Sequence, residues 1–170
     1  AFEMAMHLTG KSPDWWNGRR FDKPVSAWAS SVSTLATRDT VQRLIAGRPG
    51  KIGTGAIPKA DILDYKSALG TPDLLDHVRV KHVSGGESFV AFKSYEQGRE
   101  KWQGETLDVV WFDEEPPQDI YFEGLTRTNA TGGMAYMTFT PLLGMSEVVR
   151  RFLMEKPVGT GVVTMTIDDA

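Results

Sequence analysis

The chain contains no cysteine and only three histidines, His7, His77 and His82, scattered over 170 residues. That excludes disulfides, thiolate nucleophiles and Cys-ligated zinc, and leaves any metal to oxygen ligands. No apolar run approaches the roughly 18 to 20 residues of a membrane span, and the first residues lack the basic-then-apolar layout of a leader peptide. The expectation is a soluble, intracellular domain with no membrane partner. Positive charge is not in excess either: 19 Lys and Arg stand against 22 Asp and Glu, a net charge of −3. Contact with nucleic acid would therefore rest on local basic patches. Internal repeats and low-complexity tracts are also missing. What the chain does have is 41% hydrophobic residues, including five Trp and eight Phe, enough to bury one domain-sized core.

Strand and helix patterns alternate along most of the chain. AFEMAMHLTG reads as the end of a helix stopped by Gly10, and VSAWASS (25–31) as a strand. TRDTVQRLIAG (37–47) follows as a helix with Thr37 as its cap and Gly47 as its stop. A Gly- and Pro-rich loop, RPGKIGTGAIP, leads to another predicted helix, KADILDYKSALG (59–70). DHVRVKHV (76–83) and ESFVAFKS (87–94) read as an antiparallel hairpin, and YEQGREKWQG as a short polar helix or loop. LDVVWFDEE is a continuous apolar strand of the doubly buried kind. Residues from Gln118 to about Arg127 form a crossover, GMAYMTFTP (133–141) is a strand stopped by Pro141, MSEVVRRFLMEK is an amphipathic helix, and GVVTMTIDD is a last strand. The pattern is that of a single three-layer α/β domain over 1–170, with a mainly parallel sheet and an added antiparallel hairpin.

The least ordinary stretch is VVWFDEEPP, where four apolar residues run into Asp113, Glu114 and Glu115. In a parallel sheet, ligands bind beyond the carboxyl ends of the strands, which is where these acids fall. An apolar strand delivering Asp and then Glu is the Walker B pattern. The Asp orients hydrated Mg²⁺ on nucleotide phosphates, and the Glu polarises the attacking water. An acidic turn closing a strand is the plainer account of the same letters. Another strand end, YMTFTP, closes on the hydroxyls of Thr138 and Thr140, although Thr is also simply a good strand former.

A Walker B needs a phosphate loop, and AMHLTGKS (5–12) meets the relaxed spelling of one. Its context is reversed: a helix ends there instead of beginning, and Pro13 follows Ser12 directly. GTGAIPK (53–59) lacks the Lys-Ser/Thr ending. Neither is expected to cradle phosphate.

PDWWNGRRFDKP, SYEQGREKWQG, LDVVWFDEEPP, YFEGLTRTNATGG and MTFTPLLGMSEVV together resemble the ATPase domain of large terminase subunits, the DNA-packaging motors of tailed bacteriophages. The resemblance runs from about residue 4 to 169 and implies a RecA-like P-loop NTPase fold. It further implies a phosphate loop upstream of Ala1, a C-terminal nuclease domain absent from these residues, and little activity for the 170 residues alone. By the same resemblance Asp113 would order Mg²⁺ through water and Glu114 would activate the water that attacks ATP. Thr138 and Thr140 would form the motif coupling hydrolysis to movement. Glu115 is a weaker candidate, as are Arg99 and Arg127, either of which would reach phosphate or a neighbouring subunit. Arg19 and Arg20 beside Trp15 and Trp16 offer a stacking and phosphate-binding surface, though packing of a loop onto the core accounts more simply for the Trp pair. The implied partners are double-stranded DNA, the portal protein, the small terminase subunit and further copies in a ring on the procapsid, in the host cytoplasm. Two alternatives stand beside this reading. One is a metal-dependent nuclease using the Asp-Glu-Glu cluster with Asp168 and Asp169. The other is an inert α/β fragment acting through protein contacts.

Overall fold

In the computed structural model, which describes residues 1–140 and 144–169, the chain begins with α1 (Phe2–Thr9), β1 (Ser26–Ser31) and the helix α2 (34–45). It continues through β2 (Ile62–Ser67), β3 (Leu75–Lys81), β4 (Glu87–Ser94) and β5 (Val109–Asp113). The last elements are α3 (Gln118–Asn129), β6 (Met134–Thr138) and the helix α4 (147–155). The six strands form one sheet in the order β2-β3-β4-β1-β5-β6. β4, β1, β5 and β6 run parallel, and β3 and β2 extend the sheet antiparallel from β4. This is the expected α/β architecture, a mainly parallel sheet with an antiparallel extension. Among the described residues no helix is long and apolar enough to cross a membrane.

The apolar run of β5 is buried on both faces, as its lack of alternation predicts. Val109 and Trp111 face α1 and α2, joining Met4, Leu8, Val41 and Ile45. Val110 and Phe112 face the other way, with Trp28, Trp102, Ile120, Tyr121 and Val148. The sheet is thus the middle of three layers. On the latter face Trp102 stacks on Phe112 at 5.6 Å and meets Trp28 edge-on at 5.5 Å, both favourable aromatic geometries. α3 comes so close to this cluster that a Cβ on Gly124 would lie 2.5 Å from Phe112 Cζ, so the helix approaches only with glycine there.

Three expectations are corrected. KADILDYKSALG is not a helix: after one tight turn at Lys59–Asp61 it becomes the edge strand β2, paired to β3 across two register shifts. Its apolar spacing fits either form, and an open edge of β3 supplies the backbone partners that decide between them. GVVTMTIDD is not a strand. Residues 161–166 have no sheet partner among the described residues, Val163 and Met165 lie exposed, and a short turn at Ile167–Asp169 ends the stretch. The cap of α2 is Ser33, whose hydroxyl accepts from Ala36 N–H, so the helix starts three residues before the expected Thr37. The stop at Gly10 holds, with φ 72° closing α1. Pro141, expected to stop β6, lies outside the described residues.

Candidate functional site

β1 sits between β4 and β5, and the chain leaves β1 toward one side of the sheet and returns on the other. The crevice beyond the carboxyl ends of β1 and β5 is the switch point where parallel sheets bind ligands. Asp113 closes β5 at this point, half-buried, in register with Thr138 on β6. The Thr138 hydroxyl lies 2.9 Å from Asp113 Oδ1 and 2.9 Å from Trp111 Nε1. An indole N–H only donates, so the Thr138 proton is directed to the carboxylate, and the relay runs Trp111 to Thr138 to Asp113. Trp111 is itself fixed by stacking on Tyr136 at 5.9 Å. Among the described residues the other oxygen, Oδ2, has only the Thr40 hydroxyl at 3.3 Å. That hydroxyl has a single proton and a nearer acceptor, the Ala36 carbonyl at 2.6 Å. Oδ2 therefore keeps open lone pairs.

Glu114 is exposed and has φ 63°, a left-handed conformation that costs a non-glycine residue on the order of 1 kcal/mol or more. Two contacts hold it there. Its N–H donates to the Thr138 carbonyl at 2.8 Å, and the Tyr95 hydroxyl lies 2.9 Å from both the Asp113 and the Glu114 carbonyl. Burial pushes the Tyr95 phenol far up, so it keeps the proton it donates. No side-chain hydrogen bond or ion pair engages Glu114 or Glu115 among the described residues. Tyr95, Trp111 and Thr40 were not among the residues expected from sequence. The available sign for Tyr95 was its place directly after β4, at another parallel strand end.

The other candidates separate from this centre. Thr140 lies beyond the end of β6, exposed. Arg99 and Arg127 both pair with the buried Glu123 of α3, at 2.9 Å each, and not with the acids of β5. Trp15 does not pack onto the core, being 73% exposed, whereas Trp16 is half-buried over Gly18 and donates to the Arg19 carbonyl at 3.1 Å. Arg20 donates to the carbonyls of Pro13 and Trp16, and Arg19 to that of Gly132 at 2.7 Å. Lys11, in the Walker-A-like stretch AMHLTGKS, is bound to both oxygens of Asp61 at 2.7 Å. In GTGAIPK, Gly53 packs against Lys59, and a bridge between Thr54 and Pro58 closes that loop on itself. Asp168 is exposed, and Asp169 accepts from the Thr166 N–H and hydroxyl at 2.7 and 2.8 Å. Among the described residues no three His, Asp or Glu side chains converge as a metal site. Asp113 is nonetheless suited to one shared Mg²⁺, which binds through one or two carboxylates and completes its shell with water and phosphate.

The fold and these strand-end acids define a mainly parallel α/β domain with an open polar site at its switch point. Residues 1–170 match the family model of the N-terminal part of the T4-like-virus type terminase large subunit, and the chain belongs to that family. It is 45% identical, over a 190-residue alignment covering all of it, to the terminase large subunit of Salmonella phage P22, of which that alignment takes in 38%. The terminase large subunit of Enterobacteria phage LP7 is 38% identical over 138 residues, 77% of this chain and 28% of that one. The chain thus spans well under half the length of these relatives. A solved large terminase of a thermophilic bacteriophage, in complex with ADP, aligns at 12% identity and a TM-score of 0.43, covering 76% of this chain and 37% of that one.

Proposed function

We propose that this domain is the ATP-hydrolysing motor part of a phage terminase large subunit, driving double-stranded DNA into procapsids. The observation that carries the reading is the pair Asp113 and Glu114. In a chain of the terminase family, a relay engages one oxygen of Asp113, while among the described residues the other oxygen has only the Thr40 hydroxyl at 3.3 Å and the Glu114 carboxylate has no side-chain partner. Magnesium, when bound, would supply charge neutralisation at the β- and γ-phosphates. The protein's own part is to aim Oδ2 of Asp113 at the bound cation's water shell. It also keeps the Glu114 carboxylate exposed as the acceptor for a proton from the attacking water. Thr138 acts here first as the group that orients Asp113. Because Thr138 also hydrogen-bonds Glu114 through its backbone, a shift of β6 would move both acids together, which is a physical basis for coupling. Thr140 extends that strand toward the mouth of the site.

The phosphate loop is inferred to come from residues outside the 170. Gly10 ends a helix, and Lys11 is committed to Asp61. Portal protein, small terminase subunit and ring neighbours are the proposed partners, in the host cytoplasm. The nuclease reading is weaker, because Asp168 and Asp169 stand on no strand and Asp169 is committed to Thr166. The test is ATP turnover by a protein that also carries the upstream phosphate loop, with Glu114→Gln. Loss of turnover supports the assignment, and undiminished turnover removes it.

A further inference from the structure

The ladder between β1 and β5 ends at the pair Ser30 and Phe112, so the Asp113 and Glu114 carbonyls lie past its last register pair. Their donor comes from further off. Tyr95 follows β4, on the far side of β1, and its hydroxyl lies 2.9 Å from both carbonyls. The phenol has little freedom: it is buried and packs against Trp102 at 6.1 Å and Phe112 at 6.3 Å between ring centres. The turn that carries it, Tyr95–Gln97, is fixed by a reciprocal cap. In that cap the Ser94 hydroxyl accepts from the Gln97 N–H, and the Gln97 side chain accepts from the Ser94 N–H at 3.1 Å. The Glu114 N–H donates to the Thr138 carbonyl at 2.8 Å, so groups from the ends of β4 and β6 grip Glu114 by both of its backbone polar groups.

A strand end that served the fold alone would have no need of a side chain at φ 63°, since glycine takes that conformation without strain. The strained residue is also the one whose carboxylate has no side-chain partner among the described residues. Strain of this kind persists only where the surroundings over-determine it, and the Tyr95 hydroxyl is one of the two groups that do so. Without that hydroxyl the ring could stay packed, but the Glu114 carbonyl would lose its donor. We infer that Tyr95 is a positioning residue for the proposed hydrolysis: by holding the Glu114 carbonyl it fixes the backbone from which the Glu114 carboxylate extends. The inference rests on the assignment of Glu114 proposed above and adds a residue that acts through it.

The test is Tyr95→Phe, which keeps the ring and removes only the donor, in a protein that includes the phosphate loop proposed to lie upstream. Its kcat for ATP should fall about tenfold or more, with KM changed by less than about twofold, since the loss concerns the placement of a reacting group and not the binding of nucleotide. With Glu114→Gln already in place, adding Tyr95→Phe should lower the residual turnover by less than about threefold, because a residue that acts through Glu114 then has nothing left to position. Amide hydrogen exchange over residues 113–115 should quicken in Tyr95→Phe, while that of β1 stays at the wild-type rate. Wild-type turnover or unchanged exchange in Tyr95→Phe, beside an inactive Glu114→Gln, overturns the inference and leaves the Glu114 assignment standing. Equal losses from Tyr95→Phe with and without Glu114→Gln overturn it too. So does a loss accounted for by a lower folded fraction in circular dichroism, since the hydroxyl would then serve the fold alone. Undiminished turnover in Glu114→Gln is the separate failure, which removes the underlying reading and this inference with it.

Discussion

β5 is bracketed by two aspartates that have opposite fates. Asp108, just before the strand, is 6% exposed and closed off: one oxygen accepts from Lys23 Nζ at 2.9 Å, the other from Ser26 N–H at 3.0 Å. Asp113, at the far end, is half-buried, and one of its oxygens is left nearly free. Glu114 beside it has no side-chain partner among the described residues and sits in a strained backbone conformation. The same strand therefore carries an acid that joins β5 to β1 and an acid pair held ready for something outside the chain. On the reading proposed above, the saturated acid serves the fold and the acids with retained lone pairs at the switch point serve the reaction.

That contrast can be broken from either side. The largest effect is expected in activity. In a protein with its phosphate loop, Asp113→Ala should lower ATP turnover about 100-fold or more, the several kcal/mol that correct metal placement contributes. Its melting temperature should move little, as seen by calorimetry. Asp108→Ala should do the reverse. It strands the Ser26 N–H and frees Lys23, at a cost of about 2 kcal/mol, or roughly 4 to 8 °C in melting temperature, with binding of nucleotide retained. Thr138→Val belongs between them. It leaves the buried Trp111 N–H without an acceptor, costs about 1 kcal/mol by denaturant titration, and lowers turnover by loosening Asp113. The smallest effect is in pH. The His82 ring is buried, its Nδ1 accepts from Ser84 N–H at 3.2 Å, its Nε2 has no hydrogen-bond partner among the described residues, and burial lowers its pKa. The unfolded chain thus takes up the proton first. Stability is complete above the ordinary His value of about 6.5 and declines as pH falls from there toward the folded value. His82→Gln should flatten that part of the thermal-stability profile.

What was legible in the sequence follows the same division between groups that satisfy each other locally and groups that depend on distant partners. β1, the β3-β4 hairpin, β5 and β6 were readable because apolar runs and alternation report burial directly. The acids at the end of β5 were readable for the same reason, since an apolar strand fixes where its polar end emerges. The relay behind them was not. Trp111 reads as core, and its N–H finds Thr138 only because β5 and β6 lie in a particular register. Tyr95 directly follows β4, two strands away in the sheet, and nothing local shows that its hydroxyl reaches the Asp113 and Glu114 carbonyls. Arg99 and Arg127 looked like free cations because Glu123, which binds both, is visible as their partner only once α3 is folded. KADILDYKSALG and GVVTMTIDD both departed from expectation for one reason: the first found a sheet edge and the other did not.

The central claim is that Glu114 is the proton acceptor of an ATP-hydrolysing site and is not a structural acid. Its most direct test is steady-state ATP turnover of Glu114→Gln, measured beside wild type in a protein that includes the phosphate loop proposed to lie upstream, with melting temperature recorded for both. The account predicts a loss of roughly 100- to 10,000-fold in turnover at an unchanged melting temperature. Turnover equal to wild type, or a loss matched by unfolding, would contradict it.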